Sequence, residues 1–187
     1  MFRIKTLFLI LGVAELLFSL SCTKDRVGNP KDVNPDSVAA PPGLKINEFV
    51  ATGSTLVNEL GVATDWIEFY NNADDSLSMD NGQWFITDDF TDKTKFELPK
   101  AVIPARAFFL VFCDDSNKVL TQIHTNFGLS KNGEQIGIYY IHQAADTVTV
   151  DSIIFGPQND NISEGRYPDG ADNWTFFSPP TPGQPNK

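Results

Sequence analysis

Cysteine and histidine are scarce in this chain. In 187 residues there are two of each: Cys22 and Cys113, His124 and His142. Two cysteines cannot form a disulfide framework or a Cys-x-x-Cys metal pair, and two histidines rule out a histidine-rich metal centre. No Gly-x-Ser-x-Gly elbow, His-Glu-x-x-His helix motif or phosphate-binding glycine loop occurs, so the common hydrolase and nucleotide-binding signatures are missing. Basic residues are also few. Fourteen Lys and Arg stand against 24 Asp and Glu, a formal charge of −10, and nonspecific nucleic-acid binding through a basic face is not expected. No stretch carries an apolar stripe of helical period long enough to compete with the strand patterns below.

The apolar residues that are present fall into two parts of the chain. At the N-terminus, Arg3 and Lys5 precede an apolar stretch over residues 6–20, interrupted by Glu15. It is too short for a comfortable membrane span and reads as an export signal over residues 1–21. Ser21 precedes Cys22 as in a lipobox, although Ser19 stands where Leu is preferred. Lipidation of Cys22 is therefore expected, with the chain anchored to a bacterial outer membrane or cell surface. Losing Arg3, Lys5 and Glu15 with the signal leaves a formal charge of about −11. Residues 22–43 carry Gly28-Asn29-Pro30, Asn34-Pro35 and Pro41-Pro42 without apolar periodicity, and read as a disordered, semi-extended linker. With Cys22 lipidated, Cys113 has no partner. It ends the run 108–113 and is expected to be a buried small hydrophobe, not a reactive thiol.

From residue 44 onward, short β-branched and aromatic runs recur: 44–50, 66–70, 83–87, 95–98, 108–113, 135–141, 148–155 and 174–177. Most are bounded by Gly, Pro, Asn or Asp. In the second run, period-2 alternation puts Trp66, Glu68 and Tyr70 on one face, with Ile67 and Phe69 on the other. Asn132-Gly133 suits a tight hairpin, and Pro168-Asp169-Gly170 is a second turn signal. Roughly eight or nine short strands with regular turns predict an all-β, two-sheet antiparallel sandwich over residues 44–187. The proline-rich end, residues 178–186, cannot continue a ladder and is expected to form an extended strap or a fraying end.

Within that span the chain carries ordered phrases: Ile46-Asn47-Glu48-Phe49, Asp65-Trp66-Ile67-Glu68-Phe69-Tyr70-Asn71, Trp84-Phe85-Ile86-Thr87-Asp88-Asp89, His124-Thr125-Asn126-Phe127, Gly165-Arg166-Tyr167-Pro168-Asp169-Gly170, and Phe176-Phe177-Ser178 leading into Thr181-Pro182-Gly183. In order and rough spacing they resemble the lamin tail domain in its bacterial form. The resemblance implies an immunoglobulin-like β-sandwich that binds or positions something and has no shared catalytic centre. Glu48, Asp65, Asp88 and Asp89 belong to these phrases and are the acids best placed for calcium, the one cofactor for which the chain offers ligands. Against that stands the absence of an Asp-x-Asp-x-Asp-Gly loop, and doublets such as Asp74-Asp75 and Asp114-Asp115 are ordinary turn formers. Glu68 and Arg166 are expected to form a partly buried ion pair that fixes strand register. His124 is expected to satisfy loop backbone groups rather than catalyse. Trp84-Phe85, Tyr139-Tyr140 and Trp174 with Phe176-Phe177 could supply a platform for sugar rings, although a sandwich core would use most of them.

The sequence thus points to a non-enzymatic envelope lipoprotein. Lipid on Cys22 would hold it at a membrane while the domain meets a protein or glycan partner. The alternative is a calcium-dependent or carbohydrate-binding module; a secreted hydrolase would need residues not found.

Overall fold

A computed structural model describes residues 41–142 and 147–187. The export signal, Cys22 and the linker up to residue 40 lie outside the described residues. Thirteen strands follow in order: β1 (Leu44–Val50), β2 (Asp65–Asn71), β3 (Leu77–Ser78), β4 (Gln83–Thr87), β5 (Phe96–Glu97), β6 (Val102–Ile103), β7 (Phe108–Cys113), β8 (Lys118–Val119), β9 (Ile123–His124), β10 (Glu134–Ile141), β11 (Val148–Phe155), β12 (Ser163–Arg166) and β13 (Trp174–Phe177). Among the described residues there is no helix.

Two main sheets face each other. The larger has the order β13-β12-β1-β2-β7-β9-β8, the smaller β11-β10-β4-β5, and β3 pairs with β6. Pairing is antiparallel except for a single parallel contact between β7 and β9, at Phe112 and His124. Ile46, Phe49, Ile67, Phe69 and Val111 of the larger sheet pack with Trp84, Ile86, Ile136, Ile138, Tyr140 and Phe155 of the smaller in one core. Burial of each such side chain contributes about 1.5–3 kcal/mol.

Strict alternation along β1 would place Glu48 in that core beside Ile46. A β-bulge prevents this. The β1–β2 register shifts between Ile46 and Glu48, so that Ile46 pairs with Phe69 and Glu48 with Glu68. The extra residue, Asn47, reverses the alternation, because one inserted residue flips every following side chain to the other face. Phe49 then faces inward, while Glu48 and Glu68 face outward beside Val50 and Trp66.

That outer face is not bare. Val50, Trp66 and Phe112 form a second apolar cluster with Leu56 and Leu110 packed on it, and Leu56 comes from the 51–64 loop. The rest is crossed by the C-terminal segment, residues 178–187. Cys113 is buried in the main core next to Val111, as its alternation predicted. Asn132-Gly133 does form a turn with Gly133 at φ +101°, but it leads into β10 without closing a two-stranded hairpin. β10 pairs instead with β11 and β4.

Candidate functional site

The densest polar cluster lies where the C-terminal strap crosses the larger sheet. Glu48 and Glu68 sit opposite each other on β1 and β2 and are fully buried. The Glu48 carboxylate accepts from the Thr181 amide at 2.9 Å and from the Ser163 hydroxyl. The Thr181 hydroxyl lies 3.0 Å from Glu48 Oε2 and 2.8 Å from Asn186 Oδ1, and its one proton serves one acceptor at a time. Glu68 accepts from the Gly183 amide at 2.6 Å and the Asn47 side chain at 3.1 Å. Asn47, freed by the bulge, also donates to Asp169 at 3.0 Å and accepts from the Gly170 amide. Asn186 closes the circuit by donating to the Arg166 carbonyl at 2.8 Å. Gly183 holds φ +74° within this clasp, a conformation glycine adopts without steric cost.

Two buried acids side by side raise each other's affinity for a proton. Burial is the largest influence on Glu68 and pushes its carboxyl up to about 8; Glu48 and Asp169 push the same way, and the Gly183 and Asn47 donors oppose them. Glu48 is shifted upward too, chiefly by burial, against the Ser163 and Thr181 hydrogen bonds.

Arg166 is not the partner of Glu68. Its guanidinium reaches through the sandwich to Asp151 on β11, at 2.9 and 3.1 Å, and to Asp172 at 3.1 Å. Its Nε donates to the Ile46 carbonyl at 2.7 Å. Asp151 in turn accepts from the Ile46 amide at 3.0 Å. The ring of Trp174 lies under the guanidinium, 4.6 Å away. The expected Glu68–Arg166 pair is therefore corrected. The two side chains leave opposite faces of the sheet, Glu68 toward the strap and Arg166 toward the smaller sheet, and Arg166 takes the acid it meets there. Asp151 does carry a local signal, since an acid within the apolar run 148–155 marks a buried charge partner.

The four acids considered for calcium do not converge. Glu48 belongs to the strap clasp. Asp88 is bound by Lys95 at 2.5 Å. Asp89 caps a turn by accepting from the Thr91 amide and hydroxyl at 2.9 and 2.7 Å, which holds its carboxyl below the usual range. Asp65 is pushed up to about 6, mainly by burial and further by Glu134. Among the described residues no group of three or more His, Cys, Asp or Glu side chains is arranged to hold a metal ion.

The aromatic platform does not form either. Trp84, Phe85, Tyr139 and Tyr140 are all buried, because both residues of each pair find cover, one in the core and the other beneath loop residues. Only Phe176 of that set stands well exposed.

His124 is fully buried, and its ring nitrogens meet carboxylates, not the loop backbone. Nδ1 lies 2.7 Å from Asp114 Oδ2 and Nε2 lies 3.0 Å from Glu59 Oε2. Glu59 stands in the 51–64 loop, which closes on itself through a Val57–Ala63 bridge. Its amide donates to the Gln122 side chain at 2.8 Å, and its carboxylate accepts from the Gln122 amide at 3.0 Å. Around this junction Val57, Leu60 and Val62 of the loop, and Val119 and Leu120 of the β8–β9 hairpin, are each more than half exposed. The sequence marked His124, showed Asp114 only as a turn former, and carried no signal for Glu59.

No protein-family model and no curated protein matches this chain.

Proposed function

We propose that the protein is a lipid-anchored, non-enzymatic display module of the bacterial envelope, built on a lamin-tail-like sandwich, which presents a loop rim to a protein partner. The observation that carries this reading is polarity along β1. The chain enters the sandwich at Leu44, and the rim follows Val50, about 20 Å away at ~3.3 Å per residue. A tether on Cys22 would therefore leave the rim at the pole farthest from the chain's entry. Five aliphatic side chains stand there, each more than half exposed, and contiguous exposed apolar surface is what a docking site offers.

The lamin-tail resemblance gains support from the strap clasp. Asn47, Glu48, Glu68, Asp169, Gly170, Thr181 and Gly183 come from four separate phrases and join one hydrogen-bond network. Phrases that far apart in sequence act as parts of one unit. A protein partner fits the rim better than a glycan does, since sugar rings stack on aromatic faces and this rim is aliphatic. With a chain charge of −10, the fitting partner has an apolar contact surface edged by basic side chains.

Two experiments test this. Metabolic labelling with an alkynyl fatty acid should mark the protein and lose the mark in Cys22→Ala, which should also leave the membrane fraction; a mark retained by that variant removes the anchor. A photo-crosslinker at Leu60 should give a discrete adduct in cells that one at Ile154 does not. Equal adducts at both positions, or none at Leu60, would remove the rim as the docking surface.

A further inference from the structure

We propose that His124 is a pH-sensitive pin that fastens the 51–64 loop to the β8–β9 hairpin and so holds the two aliphatic tips together as one surface. The geometry is specific. A fully buried imidazole carries a carboxylate within hydrogen-bond distance of each ring nitrogen, and the two acids come from different elements, Asp114 from the end of β7 and Glu59 from the loop. Two such contacts need two N–H donors, which only the imidazolium has. The neutral ring has one. Whichever tautomer it takes, one nitrogen then turns a lone pair toward a carboxylate.

The surroundings hold the ring in place without replacing that charge. Phe112 stacks on it at 5.8 Å between centroids. Lys118 is its backbone partner across the hairpin and is exposed. The polar groups that hold the two acids, Thr121 and Gln122 at Glu59 and Ser116 at Asp114, carry no charge. Among the described residues, Asp114 and Glu59 are the only charged groups that hydrogen-bond the ring. Burial pulls the imidazole's proton affinity down, but the hydrogen bonds and charges of Asp114 and Glu59 outweigh it and leave the group above its ordinary value. Both acids are held below theirs.

The sign follows from these directions. For a histidine raised in the folded state, the contribution is complete below the unfolded value near 6.5 and disappears as pH rises through the folded value. The pin is closed below the ordinary imidazole value of 6.5 and loosens as pH rises through the raised folded value. What loosens is local: Glu59 loses its charged partner, and the 51–64 loop with Val57, Leu60 and Val62 is left with the Gln122 and Thr121 contacts. An exported domain meets the pH of its surroundings directly, so a partner that needs both tips would bind with the same pH dependence. That consequence rests on the display reading, whereas the pin does not.

The test is amide hydrogen exchange on the full-length protein from pH 6 to pH 9, corrected for intrinsic exchange. Protection across residues 57–62 should fall by about tenfold relative to β10, while β10 itself stays protected. In parallel, nitrogen-15 imidazole shifts should show His124 keeping both nitrogens protonated beyond the ordinary imidazole value of 6.5. Glu59→Gln keeps an oxygen for the Gln122 amide and removes the charge. It should move both the imidazole titration and the loop-opening midpoint to lower pH. A His124 that loses its second proton at or below the ordinary value of 6.5, loop protection flat across the range, or an unmoved midpoint in Glu59→Gln would each overturn the pin. Should that variant fail to fold, the two wild-type measurements decide alone. Loss of the Leu60 crosslink with normal exchange behaviour would instead sink the docking surface and leave the pin standing.

Discussion

Arg166 of the larger sheet grips Asp151 of the smaller one with both carboxylate oxygens in range, and both side chains are almost fully covered. The pair ties together β12, β11 and the bulged turn of β1, since Arg166 also holds the Ile46 carbonyl and Asp151 the Ile46 amide. Removing one partner leaves a buried charge uncompensated. Arg166→Ala and Asp151→Ala should each destabilise the domain by about 3–5 kcal/mol, whereas the double change Arg166→Met with Asp151→Leu should cost much less than the sum. Denaturant melts of the singles and the double measure this; strictly additive losses would show that the two residues act independently.

The strap clasp gives a second expectation. Thr181→Val removes the hydroxyl that Glu48 and Asn186 share and leaves buried acceptors short of a donor. A loss of about 1–3 kcal/mol is expected, together with faster trimming of the C-terminus by carboxypeptidase. Unchanged trimming would mean that the strap is held by its prolines and not by this threonine.

Glu68 should leave a mark on the pH dependence of stability. Its carboxyl is raised in the folded state to about 8 from an ordinary value of 4.5, so the folded protein holds a proton that the unfolded chain gives up. Stability from this group is complete below about 4.5, declines as pH rises from there to about 8, and is level above. The steepest slope is about 1.4 kcal/mol per pH unit. Glu68→Gln should flatten that decline, as read by melts at pH 5, 7 and 9. An identical slope in the variant would assign the decline to another group.

Cys113 should be inert until the domain opens. It is almost completely buried, and burial raises its thiol well above the ordinary value, with nearby Asp65, Asp114 and Asp88 adding to the rise. In a Cys22→Ser background, labelling by a thiol reagent should follow the global unfolding rate. Rapid labelling under native conditions would show that the larger sheet breathes near the end of β7.

Calcium should do little. Asp88, Asp89 and Glu48 are engaged by Lys95, by a turn and by the strap, and Asp65 is half-buried and accepts from the Leu129 backbone amide, so melts in EDTA and in millimolar calcium should superimpose. A site at a hundredfold excess over its dissociation constant would raise stability by about 2.7 kcal/mol, and a shift of that size would show that loops rearrange to build one.

Much of the sandwich was legible in the sequence because β-strands advertise themselves through local chemistry. The runs 44–50, 83–87, 108–113, 148–155 and 174–177 match β1, β4, β7, β11 and β13 residue for residue. Where the sequence was silent, the strand is polar or very short. β12 reads Ser-Glu-Gly-Arg and carries no apolar alternation, yet it lies between β1 and β13, held there by ladder hydrogen bonds and the Arg166 side chain. β3, β6, β8 and β9 have two residues each, too few to show a period.

By itself, then, the sequence determined the all-β class, most strand positions and the burial of Cys113, because alternation and turn chemistry act between residues close along the chain. It also singled out Glu48, Glu68, Arg166 and His124. The tertiary structure alone decided what each of them meets. One inserted residue at Asn47 turns Glu48 outward to the strap, Arg166 crosses to Asp151, and His124 draws in Glu59 from a loop 65 residues away. Charges and hydrogen bonds pair by proximity in space, and only the packing of the two sheets sets that proximity.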